Sequence, residues 1–145
     1  MDGCRDPTPE NGSPFPLPLA PFEHYILEDD RDDYPMCLWG GLSFRERIDA
    51  ERLRRAVAQV QARHLLLHAV VRGRPGGRTP DLAWAAAGSL GPPIIECERA
   101  PTRETLIRRI DLARETGVRF FLSPEGRGSR LECRCTTPAS TDGAR

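Results

Sequence analysis

Hydrophobic residues along the chain recur with two periods, and the switches between them mark out the elements. Leu53, Val57, Val60, His64 and Leu67 fall at i, i+4, i+7, i+11 and i+14, the spacing of one face of an amphipathic helix. Asp49 ahead of them offers an N-cap carboxylate, and Glu51 a favourable first-turn charge. Arg52, Arg54 and Arg55 cover much of the opposite side. A second helix is expected behind Thr102, with Leu106, Ile110 and Ala113 on its inner stripe and Gly117 as its stop. A shorter helical turn fits PFEHYIL from Pro21, with Phe22, Tyr25 and Ile26 on one face.

Between these stretches the period falls to two. Met36 to Phe44 reads as a strand, with Met36, Leu38, Leu42 and Phe44 on one side and Cys37 and Trp39 on the other. Its start is apolar on both faces, which predicts a strand inside a covered sheet. LLHAVVR predicts another, ended by the glycine-rich GRPGGR, which matches no phosphate-binding pattern and reads as a surface turn. Leu82, Trp84 and Ala86 alternate, and so do Ile95 and Cys97 within PIIECER. VRFFL and SRLECRC predict a hairpin around SPEGRG. Its second arm should turn Leu131, Cys133 and Cys135 inward and Arg130, Glu132 and Arg134 outward. The order predicts an α/β, two-layer sandwich with a mixed sheet, in which Leu53, Val57, Val60, Leu106 and Ile110 are buried. Residues 1–19, rich in Pro, Gly and polar residues, read as a flexible arm outside the core; residues 20–145 hold what folds.

Composition narrows the class. The 145 residues are 39% hydrophobic and 29% charged, a mix suited to a globular domain. The 21 basic and 21 acidic residues cancel, so no global field steers the chain to nucleic acid or an anionic membrane. No apolar run is long enough to span a bilayer, and MDGCRDPTPENG has no apolar signal core, so a cytoplasmic location is the default. Cys4, Cys37, Cys97, Cys133 and Cys135 are odd in number and lack CxxC spacing, which favours neither zinc nor a disulfide framework. The acidic run Glu28, Asp29, Asp30, Asp32, Asp33 reads as a solvated turn, its carboxylates too close together for a calcium loop. His64 and His68 are four apart, but the helix is expected to end between them and no third ligand follows, so no metal site is predicted.

Four segments, in order, resemble the N-terminal lobe of condensation domains and the related chloramphenicol-acetyltransferase-like acyltransferases. PLAPFEHYILED is similar to the opening helix of that superfamily. IDAERLRRAVAQVQARHLLLHAVV is similar to its main helix and RHExLRTxF motif, keeping Arg63, His64 and Leu67 and placing His68 at the second Arg. IDLARETGVRFFL resembles the run ahead of the strand that leads to the active site. CTTPASTDGAR falls where HHxxxDG is expected: Asp142 and Gly143 match its end, while Thr137 and Pro138 stand at the two histidines.

The resemblance implies one lobe of a two-lobed, coenzyme A-dependent acyltransferase-like fold, either a fragment or a degenerate copy. In the family the second motif histidine serves or positions a proton acceptor as a hydroxyl or amine attacks a thioester, work that suits imidazole. The acyl donor is carried on coenzyme A or on a carrier protein's phosphopantetheine arm, a co-substrate and not a tightly bound cofactor. Pro138 cannot take a proton, and the available histidines, His24, His64 and His68, lie far upstream. An inactive acyltransferase lobe is therefore expected, the alternative being a non-catalytic binding or scaffold lobe. The implied partner is a polypeptide supplying the second lobe, or a second copy. The motif Asp is structural in the family, paired with an Arg; here Arg63 and Arg134 are the nearby candidates for Asp142.

Overall fold

The computed structural model describes residues 12–73 and 81–136. Two sheets organise it. A four-stranded sheet runs in the order β2 (Cys37–Phe44), β7 (Gly128–Thr136), β6 (Val118–Glu125), β5 (Ile94–Glu96). Its β5–β6 pair is parallel and the others antiparallel, which makes it mixed. A three-stranded antiparallel sheet sets β1 (Leu17–Pro18) and β3 (Ala69–Gly73) on either side of β4 (Leu82–Ala86). Three helices accompany them: α1 (Pro21–Asp29), α2 (Ala50–Arg63) and α3 (Arg103–Ile107). The α/β class with a mixed sheet agrees with the pattern of periods, while the division of the strands into two sheets is new.

The helix starts follow capping chemistry. Asp49 Oδ1 accepts the Arg52 backbone N–H at 2.7 Å, and Thr102 Oγ1 accepts that of Thr105 at 3.2 Å; each satisfies one of the free donors of a first turn. Ahead of α1, which opens on Pro21, the Ala20 N–H is held by Glu23 Oε2 at 2.6 Å.

The helix faces depart from the simple stripe. On α2 the inner line is Leu53, Val57 and Gln61: Leu53 is half-buried, Val57 and Gln61 fully buried, and Val60 is 47% exposed. The helix stops at Arg63, so His64 and Leu67 never join its face, and Leu65–His68 form a 3₁₀ turn in place of the start of the predicted strand. Gln61 explains the rotation, because its Nε2 donates to the Leu67 carbonyl at 2.8 Å and ties the helix to that turn. In α1 only Ile26 of the expected face is buried; Phe22 and Tyr25 stack on each other in solvent.

The helix behind Thr102 is only one turn long. Beyond it Ile110 and Leu112 are both buried and Ala113 is exposed, an alternation that belongs to extended chain. The Leu112 carbonyl accepts the Val71 N–H at 2.7 Å, so this segment lies along β3.

The segment from Phe15 to Leu19, expected within an arm outside the core, pairs and packs instead. Leu17 lies opposite Trp84. Leu19 is buried in one cluster with Ala69, Val71, Trp84, Ile110 and Leu112, against which Phe15 and Leu17 pack. The acidic run is likewise not all solvated. Asp30 is buried, with Oδ1 accepting from the Met36 N–H at 2.9 Å and Oδ2 from Arg109 Nε at 2.8 Å. Asp32 and Asp33 remain exposed. The GRPGGR turn lies outside the described residues apart from Gly73.

The predicted hairpin is β6 and β7, joined through Gly126 and Arg127 with Glu125 opposite Gly128. Gly126 sits at φ +56°, where a side chain is strained. At Gly128 a Cβ would come within 1.8 Å of the Phe44 carbonyl oxygen, so the crossing of β2 over the hairpin base requires glycine. Two orientations differ from expectation. Glu132 and Arg134 are buried, while Leu131, Cys133 and Cys135 are only half-buried. Alternation assigns residues to opposite faces but not which face the rest of the molecule covers. And β2, read as covered on both sides, is an edge strand exposed from Leu38 to Phe44.

These exposures predict a sharp contrast in stability. Ile110→Ala should cost about 2–5 kcal/mol, as large-to-small changes in packed cores do. Val60→Ala, though on the apparent stripe, should stay within about 0.5 kcal/mol. Urea denaturation of the two variants checks this; equal losses would return Val60 to the core.

Candidate functional site

The residues placed at the motif by the sequence, Thr137, Pro138, Asp142 and Gly143, lie outside the described residues, as does Cys4. What is described is the strand that leads to them. β7 ends at Thr136, whose N–H donates to the Gly117 carbonyl at 2.8 Å.

The three histidines occupy three different elements. His24 lies half-buried on α1, His64 is the exposed C-cap of α2, and His68 ends the 3₁₀ turn with Nε2 3.0 Å from the Leu90 carbonyl oxygen. None of these elements is paired with β7, whose ladder partners are β2 and β6. His64 and His68 share no helix face. Among the described residues no three His, Cys, Asp or Glu side chains are grouped to hold a metal ion. Arg63, one candidate partner for Asp142, is exposed at the end of α2.

Arg134, the other candidate, is 0% exposed. None of its three guanidinium nitrogens has a hydrogen-bond partner among the described residues. It stands in a polar row on one face of β7. Arg130 Nε donates to Glu132 Oε1 at 2.6 Å, and Arg130 Nη1 to Ser43 Oγ at 3.2 Å. Glu132 Oε2 is buried without a partner. Across the ladder Arg134 lies opposite Arg119 on β6 and Trp39 on β2.

Arg119 shows what a satisfied guanidinium looks like here. It is clamped by both carboxylate oxygens of Glu115, with Nε to Oε2 at 2.9 Å, and donates to the carbonyls of Arg108 and Arg109 at 3.2 and 3.3 Å. Arg134 has the same fork and no acceptor among the described residues. A buried ion without a counter-charge is unfavourable by about several kcal/mol, so this position calls for an anion. Sequence reasoning named Arg134 as a candidate partner of Asp142 but missed its burial, because an alternating Arg on a strand with an apolar opposite face ordinarily points to solvent; nothing in the pattern marks the exception.

Three of the described cysteines, Cys97, Cys133 and Cys135, have their thiols held protonated by burial. Burial, with a smaller effect of Cys135, pushes the Cys133 thiol up to about 11. Burial also raises Cys135, with Cys37 adding to it, and Cys97, with Glu132 adding to it. Thiols held protonated in this way are poor nucleophiles at neutral pH.

Comparison with solved structures identifies the architecture. The X-domain in its complex with OxyB from teicoplanin biosynthesis superposes with a TM-score of 0.68 at 18% identity, over 87% of this chain and 29% of that one. The epimerization domain from the third module of tyrocidine synthetase B gives 0.62 at 15% identity, over 83% and 29%. The condensation domain of the monacolin K polyketide synthase MokA gives 0.57 at 17% identity, also over 83% and 29%. No family model matches the sequence, and no curated protein matches it either. The chain thus spans less than a third of the length of these structures, and no described helix is long and apolar enough to cross a membrane. The fold is that of one lobe of the condensation-type domains.

Proposed function

We propose that the chain is a condensation-type lobe of acyltransferase ancestry that carries no acyl-transfer activity of its own. The reading is supported by the sequence beyond the end of β7 at Thr136, where Thr137 and Pro138 stand at the positions the resemblance gives to the motif histidines. Neither residue can accept a proton at neutral pH, and losing a general base typically lowers a rate about 10²–10⁴-fold. The substrate class that goes with this ancestry is an acyl thioester of coenzyme A or of a phosphopantetheine arm, with an amine or hydroxyl as acceptor.

Arg134 supports reading Asp142 as the structural acid of the same motif. Its buried guanidinium needs a carboxylate, and Asp142 lies eight residues further along the chain. Arg63 is exposed and has no such need. We assign Arg134 as the counter-charge of Asp142.

A second reading, a non-catalytic binding lobe, is favoured by the exposed apolar edge at β2. One of the similar structures, the teicoplanin X-domain, was solved in complex with another protein. In this reading the lobe acts through a polypeptide that binds it, either a companion lobe or a second copy.

Two outcomes are expected. Purified chain incubated with a panel of acyl-coenzyme A donors and amine or alcohol acceptors should release free thiol no faster than buffer. Turnover abolished by substituting His24, His64 or His68 would overturn the assignment of an absent base. For the ion pair, Asp142→Asn should cost about 3–5 kcal/mol by stranding a buried cation, whereas replacing Arg134 by Met in the Asp142→Asn background should recover most of that loss. Additive effects of the two substitutions in a thermal-melt cycle would show that Arg134 answers to another anion.

A further inference from the structure

We infer that the chain pairs with a second copy of itself along the free edge of β2, joining two four-stranded sheets into one continuous sheet about a two-fold axis at Gly40. The open edge comes first. β2 is hydrogen-bonded to β7 on one side, and among the described residues no strand lies on its other side. An edge strand presents a row of unpaired N–H and C=O groups, which proteins ordinarily guard with charges, proline, bulges or short length. CLWGGLSF has none of these guards: it is eight residues long, uncharged, free of proline, and pairs with β7 without a bulge. Leu38, Trp39 and Leu42 are 56%, 58% and 61% exposed.

The strand is also complementary to itself. In an antiparallel pair with Gly40 opposite Gly40, Leu38 of each copy lies opposite Leu42 of the other, on one face of the sheet. Trp39 of each copy lies opposite Gly41 of the other, on the second face, where the Arg130 guanidinium lies over the glycine and offers the indole a cation to stack on. A Cβ at Gly40 would meet nothing within 4 Å, so the axis falls on open space. Contacts between side chains directly opposite each other are the units that stabilise a paired sheet.

Charge selects the antiparallel direction. The turn ahead of β2 carries exposed Asp32 and Asp33 against one arginine, Arg31, and the segment behind it carries exposed Arg45 and Arg47 against one carboxylate, Glu46, so the two flanks differ in sign. Antiparallel pairing brings the acidic turn ahead of β2 in each copy toward the segment carrying Arg45 and Arg47 in the other; parallel pairing would set like against like. Their present engagements are slight: Asp33 is 4.0 Å from Arg31 in solvent, and Arg47 donates to the Gly126 carbonyl at 3.3 Å. The contact is isologous and consumes the edge it uses, so it closes at two copies. A one-strand interface lies at the small end of specific contacts, below roughly 1,200 Å², so exchange between monomer and dimer should be rapid and concentration-dependent.

Sedimentation velocity of the full chain across a wide concentration range tests this. A reversible monomer–dimer equilibrium is expected, with the amides of residues 37–44 gaining hydrogen-exchange protection as concentration rises. Leu42→Lys should leave the circular-dichroism spectrum unchanged and yield monomer, while Val60→Lys on exposed α2 should leave the dimer intact. Arg47→Glu and Asp33→Arg should each weaken the dimer, and the two together should restore it. A monomer at every concentration, a dimer indifferent to Leu42→Lys, or growth into larger species would overturn the inference. So would β2 protection that arises only on adding a polypeptide corresponding to the rest of the condensation-type fold, which would assign the edge to that polypeptide.

Discussion

The pairing of β7 on both of its edges is the constraint on which the four-stranded sheet depends. Eight residues of β7 lie opposite β6 and eight opposite β2. The first ladder is local, because a turn through Gly126 and Arg127 brings β6 and β7 together with little loop to close. The second is not: it sets Cys37 against Thr136 across most of the described chain. A hairpin that forms early and then templates a distant strand reduces the entropic handicap of such a long-range contact. Gly128 belongs to the same logic, since only a residue without a Cβ lets the end of β2 pass over the hairpin base.

Register then determines the electrostatics. Once Glu125 is opposite Gly128, the period of two places Arg130, Glu132, Arg134 and Thr136 on one face whatever their polarity. The molecule handles most of its buried charge by giving guanidinium groups fixed acceptors. Arg109 locks onto Asp30 and so pins the end of α1 to the segment that carries Ile110. Arg119 spreads its donors over one carboxylate and two carbonyls, a geometry lysine could not reproduce. The all-arginine basic set therefore has structural use even where it has no chemistry. Arg134 is the exception that makes the end of β7 chemically distinctive.

Much of the architecture was legible because it rests on local signals. Asp49 and Thr102 cap where their chemistry says they should, the two-residue turn at Gly126 joins β6 to β7, and the strands around Leu38, Trp84 and Ile95 lie where alternation put them. The misreadings share one cause: they required knowing which face the rest of the chain covers. Val60 faces outward because Gln61 rotates α2 to reach Leu67. Leu38 and Leu42 are exposed because β2 ends the sheet, a matter of topology that no window of sequence contains. Arg134 is buried because register outranks polarity. Ile110 kept its burial while leaving its helix, since burial and period coincide at that residue for two different backbones. Of the proposed site, Arg134 was legible as a candidate counter-charge of Asp142, but its burial was not.

The described ladder ends where the proposed motif begins. The hydrogen bond from Thr136 to Gly117 closes it one residue before Thr137, so the strand pairing of β7 with β2 and β6 is complete within the described residues. Replacing a histidine at 137 or 138 removes no strand pairing, no cap and none of the core cluster around Trp84. In a lobe that carries out no acyl transfer, what remains to be used is surface and buried charge: the uncharged edge of β2 and the Arg134 end of β7. A fold of this kind is a scaffold on which sites are placed. In the proposed reading, the sheets and the core cluster around Trp84 rest on contacts among the described residues, so Thr137 and Pro138 in place of histidines remove none of those contacts.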